Sequence, residues 1–377
     1  MSRSTTALVV PELNGKFQLQ QIYLNDIQPD EVLVEIVASG FCHTDLSCAL
    51  GLLPCAPNAV LGHEGAGIVI STGPEVTGLT PGDKVLLSFS FCGSCRECAS
   101  GHPAYCHSFN ERNFGGARPD GSGTTAMLST KGGEKLFSSF FGQSSFSKHT
   151  LVHKSSVVKV APETDLALFA SLGCGMQTGA GAVLNTLDVK EGSTVAVFGV
   201  GSVGMAAVMA AGLIRKAKTV IAIDLQQSRL DLAKELGATH GIIGSAKDVV
   251  EQIKALCPPT GVDYAVDCTG VPAVVRTMID ALGVRGRAAT VGAPGPGHVA
   301  HVDIMTHLTY GKEYVGCSEG DSLPAEFIPH LMEMHAQGRF PLERLIEYYD
   351  IKDFEQAIED AKSGKTIKPV LKWSSIN

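Results

Sequence analysis

Four cysteines fall within one short run, FCGSCRECASGHPAYC: Cys92, Cys95, Cys98 and Cys106. Thiolates are soft ligands suited to zinc, and zinc prefers four ligands in a tetrahedron. A single loop can therefore enclose one ion with four sulfurs. Such a closed site has no position left for substrate and reads as structural. The alternative is a pair of disulfides or free core thiols. The chain carries eleven cysteines, an odd number, in 377 residues, which suits reduced thiols and metal better than a disulfide framework.

A metal-binding chain of this kind invites a search for a second, open site. Cys42 lies in GFCHTDLS, His63 in GHEGAG and Cys174 in LGCGMQTG. Two thiolates and an imidazole leave one zinc position for water or substrate. Spacing alone does not bring these three together, and a single cysteine is more often a small core residue than a ligand. His63, set between glycines and beside Glu64, is harder to explain as packing.

A nucleotide motif follows: GVGSVG, with Gly199, Gly201 and Gly204 in the GxGxxG spacing. It comes directly after an expected strand, TVAVF, and opens an expected helix. Asp224 ends the next expected strand, TVIAID. Glycines there permit a tight turn and close backbone approach to a pyrophosphate, and the acid accepts hydrogen bonds from ribose hydroxyls. A carboxylate at Asp224 repels a 2′-phosphate, and the residues after it are Leu225, Gln226 and Gln227, so NAD is favoured over NADP. Arg229 is either an adenine-side contact or a solvated helix charge.

The elements that must position these groups fall into two kinds. Residues 1–90 show short β-branched runs broken by turns, such as 31–39, 65–72 and 83–89, the pattern of an antiparallel, barrel-like β region. Residues 107–148 read as a long ordered loop, and 150–160 as a strand returning to the β region. From 166 to 187 the pattern is helical. Five-residue strands then alternate with helices, as crossover units of a parallel sheet do. Helices at 324–337 and 353–363 and a strand at 367–373 finish the chain. The stretch from Val195 to Ile214 carries no charge and is long enough to cross a bilayer, but its clustered glycines read as strand, turn and buried helix.

Length suggests two or three domains, and 44 % hydrophobic with 18 % charged residues supplies a large core. The net charge is −8, without a basic block, which argues against a nucleic-acid surface. The N-terminal apolar run is too short for a secretory signal, so a cytoplasmic location is expected.

Taken together, these motifs resemble the zinc-dependent, medium-chain alcohol dehydrogenases over nearly the whole chain. GHEGAG, the CxxCxxCx7C lobe, GCG at 173–175 and the GxGxxG–Asp unit occur in that family's order and approximate spacing. FCHTD, LGHEGAG and CGMQTGAGAVLN are most similar to the aryl (benzyl) alcohol dehydrogenase branch. The resemblance implies an α/β fold with a GroES-like β-rich catalytic domain (1–177 and 321–377) and a Rossmann doubly wound parallel-sheet domain (178–320), with the substrate site in the cleft between them. It implies two zinc ions per chain: a catalytic one on Cys42, His63 and Cys174, and a structural one on Cys92, Cys95, Cys98 and Cys106. Asp45 would orient His63, Glu64 would stand near the catalytic ion, and Thr44 would bond the substrate hydroxyl. His43 and Lys368 would lie near the cofactor pyrophosphate, and Gln177 and Thr178 near the nicotinamide.

One position departs from the pattern. Many relatives carry a histidine five residues after the first zinc cysteine, at the solvent end of a proton relay; here it is Ser47. A serine passes protons but does not titrate near neutral pH. Leu53, Ser88, Phe89, Phe140 and Phe141 correspond roughly to the substrate pocket, and their rings suit an aryl or allylic alcohol. Three other readings are an S-(hydroxymethyl)glutathione dehydrogenase, a relative that reduces an activated double bond, and a non-catalytic zinc- and nucleotide-binding protein. The uncharged loop CALGLLPCAPNAV (48–60) argues against the first, since it offers nothing to grip glutathione charges. The family resemblance also implies a homodimer and a small-molecule alcohol or aldehyde as partner.

Overall fold

The computed structural model describes residues 3–127 and 135–376. The chain divides into two compact units. One comprises Met1–Cys174, Leu323–Pro329 and Leu342–Asn377, and the other Gly175–Ser322 and His330–Pro341. Residues 330–341, expected with the β-rich part, thus group with the parallel sheet.

The first unit holds two sheets. A seven-stranded sheet runs Ile346–Asp350, Lys368–Lys372, Glu31–Gly40, Gly65–Thr72, Lys84–Leu87 and Val157–Lys159, with His149–His153 also paired to Glu31–Gly40. Pairing is antiparallel except between Ile346–Asp350 and Lys368–Lys372. A four-stranded sheet is built from Ala59–Val60, Arg3–Val10, Gln18–Leu24 and Thr125–Met127. The central strand EVLVEIVASG is almost continuously buried, as a strand covered on both faces should be. Leu8, Val34, Ile36, Leu61, Phe146 and Trp373 lie in its core.

The second unit carries a six-stranded parallel sheet. Its spatial order is His240–Ile243, Thr219–Asp224, Thr194–Phe198, Val262–Asp267, Leu282–Thr290 and Glu313–Gly316. Chain order therefore reverses between Thr194–Phe198 and Val262–Asp267, which opens a crevice at the strands' carboxyl ends. The uncharged stretch resolves into the strand Thr194–Phe198, a glycine turn and a mostly buried helix beginning at Ser202. Among the described residues no single helix is long and apolar enough to cross a membrane.

Two expectations change. The helical segment 166–187 is broken at Cys174, whose φ is −145° and ψ −85°. Gly173 approaches the sheet so closely that a Cβ there would lie 2.0 Å from the Leu87 carbonyl oxygen. The break falls directly after that contact. The 107–148 loop contains a helix, Phe109–Phe114, and a strand, Thr125–Met127; residues 128–134 of it lie outside the described residues.

That loop is fastened by a buried ion pair. Arg118 donates from Nε to Glu31 Oε1 at 2.7 Å and from Nη2 to Glu31 Oε2 at 2.8 Å. Its remaining donors reach the carbonyls of Gly123 and Asp26. Removing one partner of such a pair strands the other charge, at a cost of about 3–5 kcal/mol. Glu31→Ala is expected to lower the denaturation midpoint by that order. Emission from Trp373, the single tryptophan and fully buried in this unit, reads the transition. An unchanged midpoint would contradict the role assigned to the pair.

Candidate active site and metal centres

Cys42 ends the extended chain after Glu31–Gly40 and starts the short helix His43–Ala49. Asp45, at the third helical position, accepts from the Cys42 backbone amide at Oδ2, 3.0 Å. Its Oδ1 accepts from the Gly62 amide at 3.0 Å and from His63 Nδ1 at 2.9 Å. Asp45 thus both caps the helix and orients the histidine. A carboxylate on Nδ1 fixes the tautomer with Nε2 unprotonated and available as a ligand.

The helix break brings in the third group. Cys42, His63 and Cys174 present their ligand atoms within 4.8 Å of one another. His63 Nε2 is buried without a hydrogen-bond partner among the described residues. An orphaned imidazole nitrogen facing two thiols fits a metal ion in both chemistry and spacing. Cys42 is biased toward its ligand form: hydrogen bonding from Cys174 holds its thiol well below the ordinary value, against burial, with His63 and Lys368 adding to the effect.

Cys92, Cys95, Cys98 and Cys106 also converge within 4.8 Å. The Cys95–Cys98 sulfurs are 3.5 Å apart and Cys92–Cys98 3.9 Å. A tetrahedron with metal–sulfur bonds of about 2.3 Å has edges of about 3.8 Å, so one ion fits at their centre. Backbone amides of Ser94 and Cys95 point at Cys92 Sγ at 3.4 and 3.3 Å. The Ser94 amide above all draws the Cys92 thiol down to about 5.

Around the three-ligand cradle the remaining groups are distributed as follows. Thr44 Oγ1 lies 3.7 Å from Cys42 Sγ. Ser47 is buried, while His43 is exposed at the helix start. Glu64 is fully buried, and Lys368 donates to both of its carboxylate oxygens at 2.9 Å. Burial raises the Glu64 carboxyl above its ordinary range, with Lys368 opposing. Lys368, expected at a cofactor pyrophosphate, is thus 1 % exposed and committed to Glu64 and the Phe41 carbonyl.

The residues expected at the pocket wall are mostly buried. Ser88, Phe89 and Phe140 are fully buried. Ser88 donates to the Gly173 carbonyl at 2.7 Å, and Phe89 packs against Phe91 and Phe109. Phe141 stacks on His63 at 4.5 Å and Phe140 meets it edge-on at 5.3 Å. Leu53 is half-buried and packed against the core of this unit.

Gln143 escaped the sequence reading. Fully buried, it donates from Nε2 to the carbonyls of His63 and Ser88, and accepts from the Gly65 amide. Nothing in its surrounding GQSS marks it, because its partners lie far away in sequence.

In the parallel-sheet unit, the GVGSVG turn closes over its own backbone. Gly199 has φ +82°, and a Cβ on Gly204 would lie 2.0 Å from the Gly199 oxygen. Asp224 accepts from the Val200 amide at 2.9 Å and the Gln226 amide at 3.0 Å. Arg229 Nη1 leans on Asp224 Oδ2 at 3.8 Å. Gly201 precedes the helix Ser202–Met209. Gln177 accepts from Ser322 at 3.2 Å, and Thr178 is 9 % exposed on the next position.

Residues 28–162 match the alcohol dehydrogenase GroES-like domain, and 202–337 the zinc-binding dehydrogenase family. Geraniol dehydrogenase of Castellaniella defragrans is 38 % identical over 98 % of this chain and 97 % of its own. The structure of an alcohol dehydrogenase zinc-binding domain protein from Burkholderia ambifaria is 47 % identical, with TM-score 0.95 over 99 % of both chains. That of benzyl alcohol dehydrogenase from Acinetobacter calcoaceticus is 41 % identical, with TM-score 0.93 over 98 % of this chain and 99 % of its own. The four-cysteine centre generates a direct test. Cys98→Ser is expected to cost one bound divalent ion per chain by metal analysis and to lower the thermal midpoint. Retention of the full metal content would contradict that assignment.

Proposed function

We infer that this chain, which belongs to the zinc-dependent medium-chain alcohol dehydrogenase family, interconverts a primary aryl or allylic alcohol and its aldehyde with NAD as the hydride acceptor or donor. One observation carries the reading: Cys42, His63 and Cys174 converge as a three-ligand set with a fourth position left over. Those residues would hold a catalytic zinc, and Cys92, Cys95, Cys98 and Cys106 a structural one.

When bound, zinc supplies Lewis acidity toward an alcohol hydroxyl, and the nicotinamide supplies the hydride acceptor. The chain's own groups do the rest. Asp45 holds His63 in the ligating tautomer. Thr44 Oγ1, beside Cys42, takes up the hydroxyl proton. Ser47 can hand that proton outward but cannot store it, so the relay ends on solvent or the cofactor ribose. Lys368 keeps Glu64 anchored behind the cradle. Gly199, Gly201 and Gly204 receive the pyrophosphate, and Asp224 the adenosine ribose, with Arg229 beside it. Asp224 disfavours a 2′-phosphate, which supports NAD. His43 and Thr178 remain candidates for the pyrophosphate and nicotinamide.

The substrate class follows from the surroundings. The loop 48–60 carries no charge, and Phe140 and Phe141 flank His63. The named relatives act on geraniol and benzyl alcohol, whose hydroxyl carbons both adjoin a π system. An apolar, aromatic-lined site suits such alcohols and lacks charges for a glutathione adduct.

We place the enzyme in the cytoplasm as a homodimer. All eleven cysteines are free thiols, which suits a reducing compartment. Glu313–Gly316 is an edge strand, and Ile304, Met305 and Leu308 beside it are strongly exposed, which suits pairing with a second copy.

A panel crossing NAD and NADP with benzyl alcohol, geraniol, hexanol and S-(hydroxymethyl)glutathione tests the reading. Turnover is expected to be fastest with NAD and the first two alcohols. Preference for the glutathione adduct, or for NADP, would overturn it. Cys42→Ser and His63→Ala are each expected to remove at least 1,000-fold of kcat/KM, about 4 kcal/mol, while leaving Trp373 emission native.

A further inference from the structure

Asp267 ends the strand Val262–Asp267, on the far side of the crevice where chain order reverses. It is fully buried. Burying a carboxylate without a cation is costly unless hydrogen bonds compensate. Here they do, and all the donors are neutral. Oδ1 accepts from the Thr269 amide at 3.0 Å and the Thr269 hydroxyl at 2.6 Å. Oδ2 accepts from the Gly270 amide at 3.1 Å and the Thr290 hydroxyl at 2.8 Å. Its backbone carbonyl also accepts from the Val291 and Gly292 amides. An amide side chain has a single acceptor oxygen, so no neutral isostere can serve donors on both sides.

These contacts tie two loops at one sheet edge. Thr269 and Gly270 follow the fourth strand in chain order, and Thr290 to Gly292 follow the fifth. The loops meet so closely that a Cβ on Gly292 would lie 2.0 Å from the Gly270 nitrogen. The first loop also reaches the glycine turn: a Cβ on Gly199 would lie 2.6 Å from Thr269 Cγ2. Ligands in open parallel sheets bind outside the strand carboxyl ends, across such a reversal. Asp224 stands on the adenosine side, after the second strand; Asp267 stands on the opposite side.

We propose that Asp267 is a positioning residue that shapes the loops receiving the nicotinamide half of the dinucleotide, without itself touching the cofactor. The proposal rests on the dinucleotide reading above. Its signature is a split between the two halves of the ligand. Disordering loops 269–271 and 290–292 weakens contact with the nicotinamide half, while Asp224 and the glycine turn still hold the adenosine half.

The experiment measures NADH affinity by fluorescence and AMP affinity by competition, on the intact zinc-loaded enzyme. Asp267→Asn is expected to raise the NADH Kd at least tenfold and leave the AMP Kd within twofold. Thr290→Val removes one donor with little volume change, and is expected to shift the NADH Kd several-fold in the same direction. It keeps the proposal testable if the first variant folds poorly. NADH and AMP weakened equally would overturn the proposal, leaving a purely structural carboxylate. So would unchanged NADH affinity in folded Thr290→Val. Failure of the wild-type chain to bind NADH would instead sink the dinucleotide reading itself.

Discussion

One buried carboxylate underlies the site. Asp45 accepts hydrogen bonds from His63 Nδ1, the Gly62 amide and the Cys42 amide at once. The helix that carries Cys42 and the turn that carries His63 are thereby locked to each other before any ion arrives. The same carboxylate sets the imidazole tautomer, so geometry and protonation state have a single cause. Cys174 joins at the helix break next to Gly173, whose backbone lies against the Leu87 carbonyl. Ser88 and Gln143 hold that junction from behind.

Ligand count alone separates the two clusters that could each hold an ion. Four sulfurs in one loop saturate a tetrahedral ion and leave it inert. Two sulfurs and an imidazole leave a place for an exchangeable oxygen. The conspicuous four-cysteine run is thus the closed set, and the three dispersed residues form the set with a position to spare. Beside the open cradle, Lys368 pairs with Glu64, and Asp45 holds the His63 ring by a hydrogen bond.

Local signals were legible in the sequence. The strand Gly65–Thr72 and the helix near 324–336 follow from periodicity, and GVGSVG with Asp224 announces its turn. The ligand triad was legible only as a pattern of types, since spacing does not bring residue 42 to residue 174. What stayed hidden are long-range polar ties. Arg118 to Glu31, Gln143 to His63 and Lys368 to Glu64 join residues 87, 80 and 304 positions apart. No period or motif encodes such pairs; burial creates the demand for a partner, and burial is a property of the fold. The helix break at Cys174 was hidden too, where the chain meets another strand.

Anomalous diffraction at the zinc edge tests the central claim most directly. The account requires two peaks per chain. One lies within bonding distance of Cys42 Sγ, His63 Nε2 and Cys174 Sγ, and the other among the four lobe sulfurs. A peak only in the lobe, with the Cys42–His63–Cys174 cradle vacant in active enzyme, would contradict it.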